Sequence, residues 1–507
     1  MNRRCSRLGP LAVAGALLAP FFLTGSANAQ LDGVTPTREE LQEQFTKLIE
    51  TGQTQLGEGD FAAAVQTFTE AARMTSNNPQ TLLLRAQALY GVGELEAALA
   101  DVKDAISSGQ IAPGFTGQAR NLRAQIYLQL GAIDDALRDA QAAVKEDRGN
   151  PDYQRVLGKA QVLIGDSLSG EKSLSKYLSA AEAAEATDTL DAAEAYRLRG
   201  QAFASMGKFP KAIADIDRSL EIDPEEHESY MTKGMIYLQD KDYKPAIDAI
   251  EQAIANYEPA DPDLPVPYAQ AYLTRASALE EYGKQSDEPE VQAKSYRESK
   301  LACETLLDEL SDGPETAPTR AATLFRLGVA ERLLGDLPAA VKAFSEAINL
   351  NPSLGEAYFR RGVCFFYLDE PRLALGDFEQ GAAINFDSPR SNLWKGRCWV
   401  SLGDQREAIK AFSEAVAVSD RYTIAYVHRG LTYLQIGEYQ RAVNDFNNAI
   451  RLEPTSGEHY YYRGVGYSRL GESERSINSL VLALKFDNKL LGAYDAIEEE
   501  LRRAGRG

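Results

Sequence analysis

The chain has few of the residues that build metal and redox sites. Among its 507 residues are three histidines and four cysteines. No two histidines stand at the i, i+4 spacing of a helical zinc motif, and the sequence holds neither a CxxC pair nor a phosphate loop ending in Gly-Lys-Ser/Thr. The sequence therefore predicts a non-enzymatic protein with no catalytic residue, no metal and no cofactor.

The cysteine pattern also does not predict a framework of disulfide bonds. Cys5 lies in an N-terminal segment that we expect to be removed, which leaves an odd number of cysteines at wide intervals. Cys364 and Cys398 occupy equivalent helices of the repeats described below. Such helix axes stand about 8–10 Å apart, whereas bridged Cα atoms usually lie within about 7 Å of each other. We predict that Cys364 and Cys398 are small buried residues, and a free-thiol role is the alternative.

Positive charge is in deficit. Lys and Arg number 54 against 74 Asp and Glu, so the formal net charge is −20. Removal of Arg3, Arg4 and Arg7 with the N-terminal segment would make the charge still more negative. Such a surface repels nucleic acid and anionic lipid, so we predict no nucleic-acid partner.

Long apolar runs are missing beyond the first residues. The run from Leu8 to Leu23 follows three arginines and precedes Ala27-Asn28-Ala29, the pattern of a secretory signal peptide. An uncleaved membrane anchor is the alternative, which Pro20 and the shortness of the run disfavour. We predict a signal peptide at 1–29, a short linker at 30–36, and an exported bacterial protein of the periplasm, the cell surface or the extracellular space, with no membrane insertion after cleavage.

What the chain does have is an internal repeat. A small residue, followed later by Ala, an aromatic or aliphatic residue and a second Ala, recurs along it, and we number each unit so that this first small residue is position 8. The last five units are spaced by 34 residues, and insertions lengthen some earlier ones. Position 8 falls on Gly52, Ala86, Ala124, Gly158, Gly200, Gly234, Ala276, Gly328, Gly362, Gly396, Gly430 and Gly464.

The eleventh unit shows the logic of the pattern. Tyr426, Gly430 and Tyr433 recur at helical spacing, and Gly437 ends this first helix. A second apolar stripe begins at Tyr439 and closes before a proline. Two such helices form an antiparallel hairpin, and one hairpin cannot bury both stripes without a neighbour.

The eighth unit carries Gly at position 8, Ala at 20, an aromatic at 24, Ala at 27 and Pro at 32, on Gly328, Ala340, Phe344, Ala347 and Pro352. This pattern resembles the tetratricopeptide repeat family, over roughly residues 38 to 487. The resemblance implies an all-α fold, a right-handed α-solenoid of about twelve helix-turn-helix hairpins with a C-terminal capping helix. The fourth and seventh units match weakly.

Pro- and acid-rich interruptions divide the repeats. We predict an N-terminal segment of about six repeats at 37–258 and an irregular hairpin with insertions at 259–315. A regular segment of five repeats follows at 316–487, and a capping helix with a tail occupies 488–507. Thr37 and Glu40 form a predicted capping box at the start of the first helix.

Five units share a feature that the family pattern does not require. Each has Arg at position 7 and Asp at position 23, which are equidistant from the interhelix turn. An antiparallel hairpin places these positions side by side, so we predict ion pairs that fix the hairpin register, with no part in catalysis. The pairs are Arg85 with Asp101, Arg123 with Asp139, Arg199 with Asp215, Arg361 with Asp377, and Arg429 with Asp445.

The resemblance implies a concave groove lined by the first helices. In the regular C-terminal segment its positions hold aromatic and arginine side chains, the residue types that dominate binding hot spots. The alternative is that these aromatics only shield neighbouring helices. The peptide-groove candidates are Phe325, Arg326, Arg332, Phe359, Arg360, Tyr367, Trp394, Arg397, His428, Tyr461 and Tyr462.

The family's carboxylate clamp for a peptide C-terminus needs Lys at position 5 and Asn at position 9. The first repeat has Ile49 and Gln53 there, so the chaperone role that this clamp serves is not expected.

The leading hypothesis is an exported scaffold or adaptor that binds a protein or peptide partner in the groove. An envelope component that self-associates through the solenoid ends is the alternative, and an enzyme with a site in the irregular middle is a more distant one. The sequence leaves the partner's identity and the oligomeric state open.

Overall fold

The computed structural model describes residues 37–75, 77–112, 114–259, 268–384 and 388–504. The predicted signal peptide and linker lie outside this part of the chain. Within it the protein is all-α, with 25 helices and no strand, so the predicted fold class is confirmed. The chain divides into two compact units, Met1–Val266 and Pro267–Gly507.

The first unit contains twelve helices. They are α1 Arg38–Glu58, α2 Phe61–Met74, α3 Pro79–Val92, α4 Leu95–Ser107, α5 Thr116–Gln129, α6 Ile133–Glu146, α7 Pro151–Leu163, α8 Ser167–Ala183, α9 Leu190–Ser205, α10 Phe209–Ile222, α11 His227–Gln239 and α12 Tyr243–Ala255.

The second unit contains the other thirteen described helices. They are α13 Ala269–Gln285, α14 Pro289–Glu309, α15 Ala317–Leu334, α16 Leu337–Leu350, α17 Gly355–Tyr367, α18 Pro371–Ala383, α19 Pro389–Ser401, α20 Gln405–Val418, α21 Thr423–Gln435, α22 Tyr439–Leu452, α23 Gly457–Leu470, α24 Ser473–Phe486 and α25 Leu491–Ala504.

Consecutive helices pair into hairpins, each first helix packing on the second helix of its own repeat. Within a unit, the second helix also packs on the first helix of the next repeat. The irregular hairpin of α13 and α14 lies in the second unit, where α14 packs against α15. The boundaries at 258, 315 and 487 remain sequence-based predictions.

Small residues at position 8 permit the two helices of a hairpin to cross closely. A Cβ built on Gly430 would lie 2.8 Å from Cε1 of Phe446, closer than carbon atoms pack without displacement. Phe446 is fully buried, and so are the phenylalanines at position 24 of four other repeats, Phe68, Phe344, Phe378 and Phe412. A larger side chain at position 8 would push the two helices apart.

The first helix of most repeats is followed by a residue in the left-handed backbone conformation. Gly437 follows α21 with φ 80°, which confirms the predicted stop, because glycine adopts positive φ at little steric cost. The same turn position holds Lys241 in the sixth repeat and Asp369 in the ninth, both at φ 61°. At the start of α1, the predicted capping box forms: Thr37 N–H donates to Glu40 at 2.7 Å, and Glu40 N–H donates to Thr37 Oγ1 at 3.2 Å.

The five Arg–Asp pairs lie inside their hairpins as two-pronged hydrogen bonds. In each, the arginine Nε and Nη2 donate to the two carboxylate oxygens over 2.6–2.9 Å. The aspartates are buried. Three of the arginines also donate through Nη1 to a serine on the preceding repeat, as Arg429 does to Ser413 at 3.0 Å. These three side chains therefore link consecutive hairpins as well as the two helices of one.

The last helix, α25, packs on α24 and α23. Ala493 and Glu500 face this contact and are buried, and Glu500 accepts a hydrogen bond from Ser468 Oγ at 2.6 Å. The predicted capping helix is thus present. The helices that the structure describes include none with the length and apolar character needed to cross a bilayer.

Candidate binding groove of the second unit

Predicted groove residues of α15, α17 and α19 lie on one face of the second unit, because side chains of these helices touch across successive repeats. The guanidinium of Arg360 lies 5.6 Å from the ring centroid of Phe325, and that of Arg390 lies 5.2 Å from Phe359. We call this face the candidate groove.

Its centre is an arginine held among aromatic rings. The guanidinium carbon of Arg397 lies 4.0 Å from the ring centroid of Trp394 and 4.8 Å from that of Phe366. The Phe366 and Trp394 rings meet edge to face at 5.2 Å, and Tyr367 contacts Trp394 at 5.7 Å. Tyr367 is 59% exposed, so the cluster has an apolar side that a partner can reach.

Other predicted groove aromatics pack inward. Phe359 is buried, and its ring lies 5.8 Å from that of Phe378 within the same hairpin; Phe325 contacts Phe344 at the same separation. For Phe359, the shielding interpretation of the sequence therefore fits best.

The remaining candidates lie nearer the C-terminus. His428 stacks on Phe412 of the preceding repeat with a centroid separation of 5.6 Å. Tyr462 contacts Phe446 at 5.7 Å, and Tyr461 contacts Tyr462 at 5.6 Å. Tyr461 also lies close to the capping helix α25. A Cβ built on Gly492 of that helix would lie 3.0 Å from the Tyr461 hydroxyl oxygen.

Arginines dominate the charge of the candidate groove. Arg326 donates to the buried carboxylate of Glu280 at 3.2 Å, and Arg360 pairs with Glu356 at 2.8 Å. Burial lowers the pKa of Arg360 from its ordinary value despite that carboxylate, and the like charge of Arg332 lowers it further. Burial and the charge of Arg397 likewise lower the pKa of His428.

The equivalent face of the first unit differs, because its basic groups are matched by carboxylates. Glu194 on α9 pairs with Lys159 at 2.6 Å and with Arg155 at 3.6 Å, both from α7. Arg197 reaches Glu228 on α11 at 2.8 Å. Burial would raise the pKa of Glu194, but Lys159 and the two arginines outweigh it and lower the pKa to about 2.

The three cysteines of the described residues are free thiols held inside the fold. Cys303 is free and buried, and burial with the nearby Glu280 carboxylate raises its pKa to about 12. Cys364 and Cys398 are also free and buried, with pKa values raised by burial to about 11 and about 12. The prediction that Cys364 and Cys398 are buried is confirmed, and at neutral pH such protonated thiols are weakly nucleophilic.

One group of possible metal ligands has no spaced histidine motif that would reveal it in the sequence. Glu226, His227 and Glu228 are consecutive at the start of α11, with ligand atoms within 4.8 Å of one another. Glu228 is already paired with Arg197, and exposed acidic groups of this kind are common without an ion.

Family models described as tetratricopeptide repeat match residues 49–114, 83–153, 193–226, 227–258, 322–353 and 424–456. A model of anaphase-promoting complex subunit 5 matches residues 391–421. Paired helices that cross at small residues and stack repeat on repeat define an all-α repeat scaffold. The chain belongs to the tetratricopeptide repeat superfamily.

Two curated proteins are similar to parts of the chain. The protein SGT1 homolog of Oryza sativa subsp. japonica is 36% identical over 75 residues, which is 15% of this chain and 19% of that protein. The Hsp70-Hsp90 organizing protein of Triticum aestivum is 23% identical over 242 residues, 42% of this chain and 41% of that protein. The chain thus spans less than half the length of either relative.

Solved structures with similar folds include a MamA protein, with 21% identity, a TM-score of 0.32 and coverage of 34% of this chain and 94% of that one. The structure of YrrB, described as a tetratricopeptide repeat protein with an unusual peptide-binding site, has 19% identity, a TM-score of 0.32 and coverage of 35% and 92%. The APC/C hetero-tetramer Cut9–Hcn1 has 15% identity, a TM-score of 0.35 and coverage of 93% and 91%.

Proposed function

We propose that the protein is an exported, non-enzymatic scaffold that binds a segment of a partner protein in the candidate groove. The observation that carries this proposal is the cluster of Tyr367, Trp394 and Arg397. It combines an exposed aromatic ring with a guanidinium already held in place by its neighbours, and such groups are typical of the residues that contribute most to protein binding.

Export is the second part of the proposal. It is supported by the pattern of residues 1–29, where arginines precede an apolar run and a small-x-small cleavage motif. Expression of the full chain in a Gram-negative host, followed by fractionation and N-terminal sequencing, tests it. A mature protein that begins at Gln30 in the periplasm or medium is expected, and an uncleaved protein in the cytoplasm would contradict it.

The groove is tested by capturing partners from the extracytoplasmic fraction of the source cells. Buried Phe359 is a poor choice for mutation because its loss would disturb packing. The double substitution Tyr367→Ala/Arg397→Ala is expected to abolish retention of partners at unchanged helicity. The matched control Leu373→Ala/Arg406→Ala alters exposed residues on the second helices α18 and α20 and should retain them. If both variants retained the captured partners equally, the candidate groove would have no part in partner binding.

Self-association is a second candidate, favoured by the outer side of the cap. Leu491, Tyr494 and Leu501 of α25 are 75%, 49% and 56% exposed, and they recur at spacings that place them along one stripe of the helix. Sedimentation of the purified protein over a concentration series tests this candidate. Assembly that Leu491→Glu/Leu501→Glu reverses would support the structural function, and a monomer throughout would exclude it.

A further inference from the structure

The candidate groove carries an excess of positive charge in a strongly acidic chain. The basic side chains on this face are Arg326, Arg332, Arg360, Arg390 and Arg397, and the acidic ones are Glu280 and Glu356. The whole chain, by contrast, has a formal net charge of −20. The surplus is therefore local to this face.

Two of these arginines have no carboxylate partner among the described residues. Arg332 and Arg397 make no ion pair there, and the guanidinium of Arg397 lies against the rings of Trp394 and Phe366. Arg332 lies close enough to Arg360 to lower its pKa. By contrast, Lys159, Arg155 and Arg197 on the equivalent face of the first unit all have carboxylate partners.

Two guanidinium groups that lie close together repel each other, and a carboxylate between them relieves this repulsion. A guanidinium can bind a carboxylate through two parallel hydrogen bonds. The guanidinium of Arg397 is already held in place by stacking against Trp394 and Phe366. Binding of a partner therefore costs little of its side-chain entropy. The exposed ring of Tyr367 lies beside it and can cover an apolar side chain of the same partner.

We propose that the candidate groove binds an acidic protein segment, in which carboxylates contact Arg332 and Arg397 and a neighbouring apolar side chain packs on Tyr367. This inference rests on the proposed function and specifies its partner by charge. A short segment suits the face better than a nucleic acid, because Glu280, Glu356 and the net negative charge of the chain repel an extended polyanion.

The test is selection from a randomised peptide library on the immobilised, full mature protein, repeated on two variants. Arg332→Gln/Arg397→Gln removes the two unpaired charges, and Tyr367→Ala removes the exposed ring. Arg406→Gln, an exposed arginine on α20, is the matched control. Circular dichroism verifies that all four proteins keep the same helicity. A single-stranded oligothymidylate at physiological salt serves as the polyanion probe.

Binding of individual selected peptides is then measured by fluorescence. The chain has two tryptophans, Trp394 and Trp399, so Trp399→Phe leaves Trp394 as the reporter within the groove. The expected result is enrichment of Asp and Glu beside an aromatic or aliphatic residue, with affinity about tenfold or more lower in Arg332→Gln/Arg397→Gln and unchanged in Arg406→Gln. Added salt should weaken binding.

The other outcomes separate the two proposals. If the selected peptides show no charge bias but still fail to bind Tyr367→Ala, the proposal of an acidic segment is overturned and the proposed function stands. Identical selections by the mature protein and both groove variants would overturn both. Enrichment of basic peptides, or tighter binding of the oligothymidylate than of any peptide, would also reject the acidic segment.

Discussion

At the residue scale, the Arg–Asp pairs show how a polar contact specifies a repeat. Asp445 is 4% exposed, and its two carboxylate oxygens accept hydrogen bonds from Nε and Nη2 along one edge of the Arg429 guanidinium. Taking both charges out of water costs much of what their attraction returns, so the pair contributes more to the register of the hairpin than to its net stability. The consequence appears when one partner is removed.

We expect Asp445→Ala to lower the free energy of unfolding by about 3 kcal/mol, because it leaves the Arg429 guanidinium without its carboxylate. The double substitution Arg429→Met/Asp445→Leu should recover most of that loss. Thermal unfolding followed by circular dichroism measures both, with exposed Asp420→Ala as the control. A double variant no more stable than Asp445→Ala would show that the pair does not act as a unit.

At the element scale, the turn between the two helices of a hairpin needs a residue with positive φ. Glycine supplies this conformation in most repeats, and Lys241 adopts it at φ 61° in the sixth. The Cβ of a lysine clashes with its own backbone there, which glycine avoids.

Lys241→Gly is therefore expected to stabilise the first unit by about 1 kcal/mol, and Gly437→Ala to destabilise the second by a similar amount. Urea unfolding of the full chain, combined with hydrogen exchange in α11 and α21, measures both effects where they arise. Loss of stability in Lys241→Gly would mean that the lysine side chain compensates for the strain of its backbone.

The acidic and basic groups of α7, α9 and α11 make the first unit sensitive to acid. The pKa of Glu194 is about 2 in the folded chain against an ordinary 4.5. The folded state thus binds fewer protons than the unfolded state between these values, and its stabilisation is complete above about pH 5 and is lost as the pH falls towards 2.

We expect Glu194 to contribute about 2 kcal/mol at neutral pH, a contribution that disappears near pH 2. Melting temperatures of wild type and Glu194→Gln, measured from pH 7 down to pH 2.5, should differ at neutral pH and converge in acid. The exposed Glu414→Gln on α20 is the control. Parallel curves at every pH would contradict a role for the ionised carboxylate.

At the scale of the whole molecule, each compact unit has its own core of stacked hairpins. The largest fully buried side chains of the first unit include Phe68 and Ile216, and those of the second include Phe344 and Phe446. Repeat proteins gain stability from contacts between neighbouring repeats of the stack, and a cut inside a hairpin removes the contacts on which both of its helices depend.

Residues 30–266 and 267–507, expressed separately, are expected to be helical and to melt cooperatively. A second division, after Gly437, separates α21 from α22 and should yield at least one unfolded or aggregated product. Circular dichroism and size-exclusion chromatography compare the two divisions. Failure of either fragment of the first division to fold would show that its core depends on the other unit.

The sequence by itself determined the repeat and its local consequences. The period, the helix-crossing glycines and the turn at Gly437 follow from one-dimensional spacing, because each constraint acts inside a hairpin about 34 residues long. The pairing of Arg429 with Asp445 could be inferred for the same reason, since an antiparallel hairpin fixes which positions are opposite.

Tertiary structure decided which side chains of the predicted groove face outward. Phe359 and Tyr367 both fit the aromatic pattern, yet Phe359 packs on Phe378 while Tyr367 is exposed. Spacing could not distinguish them, because burial also depends on the following repeat, whose Arg390 lies 5.2 Å from the ring centroid of Phe359. The contact of Arg397 with Phe366 likewise joins α19 to α17, and only the stacking of one hairpin on the next brings those residues together.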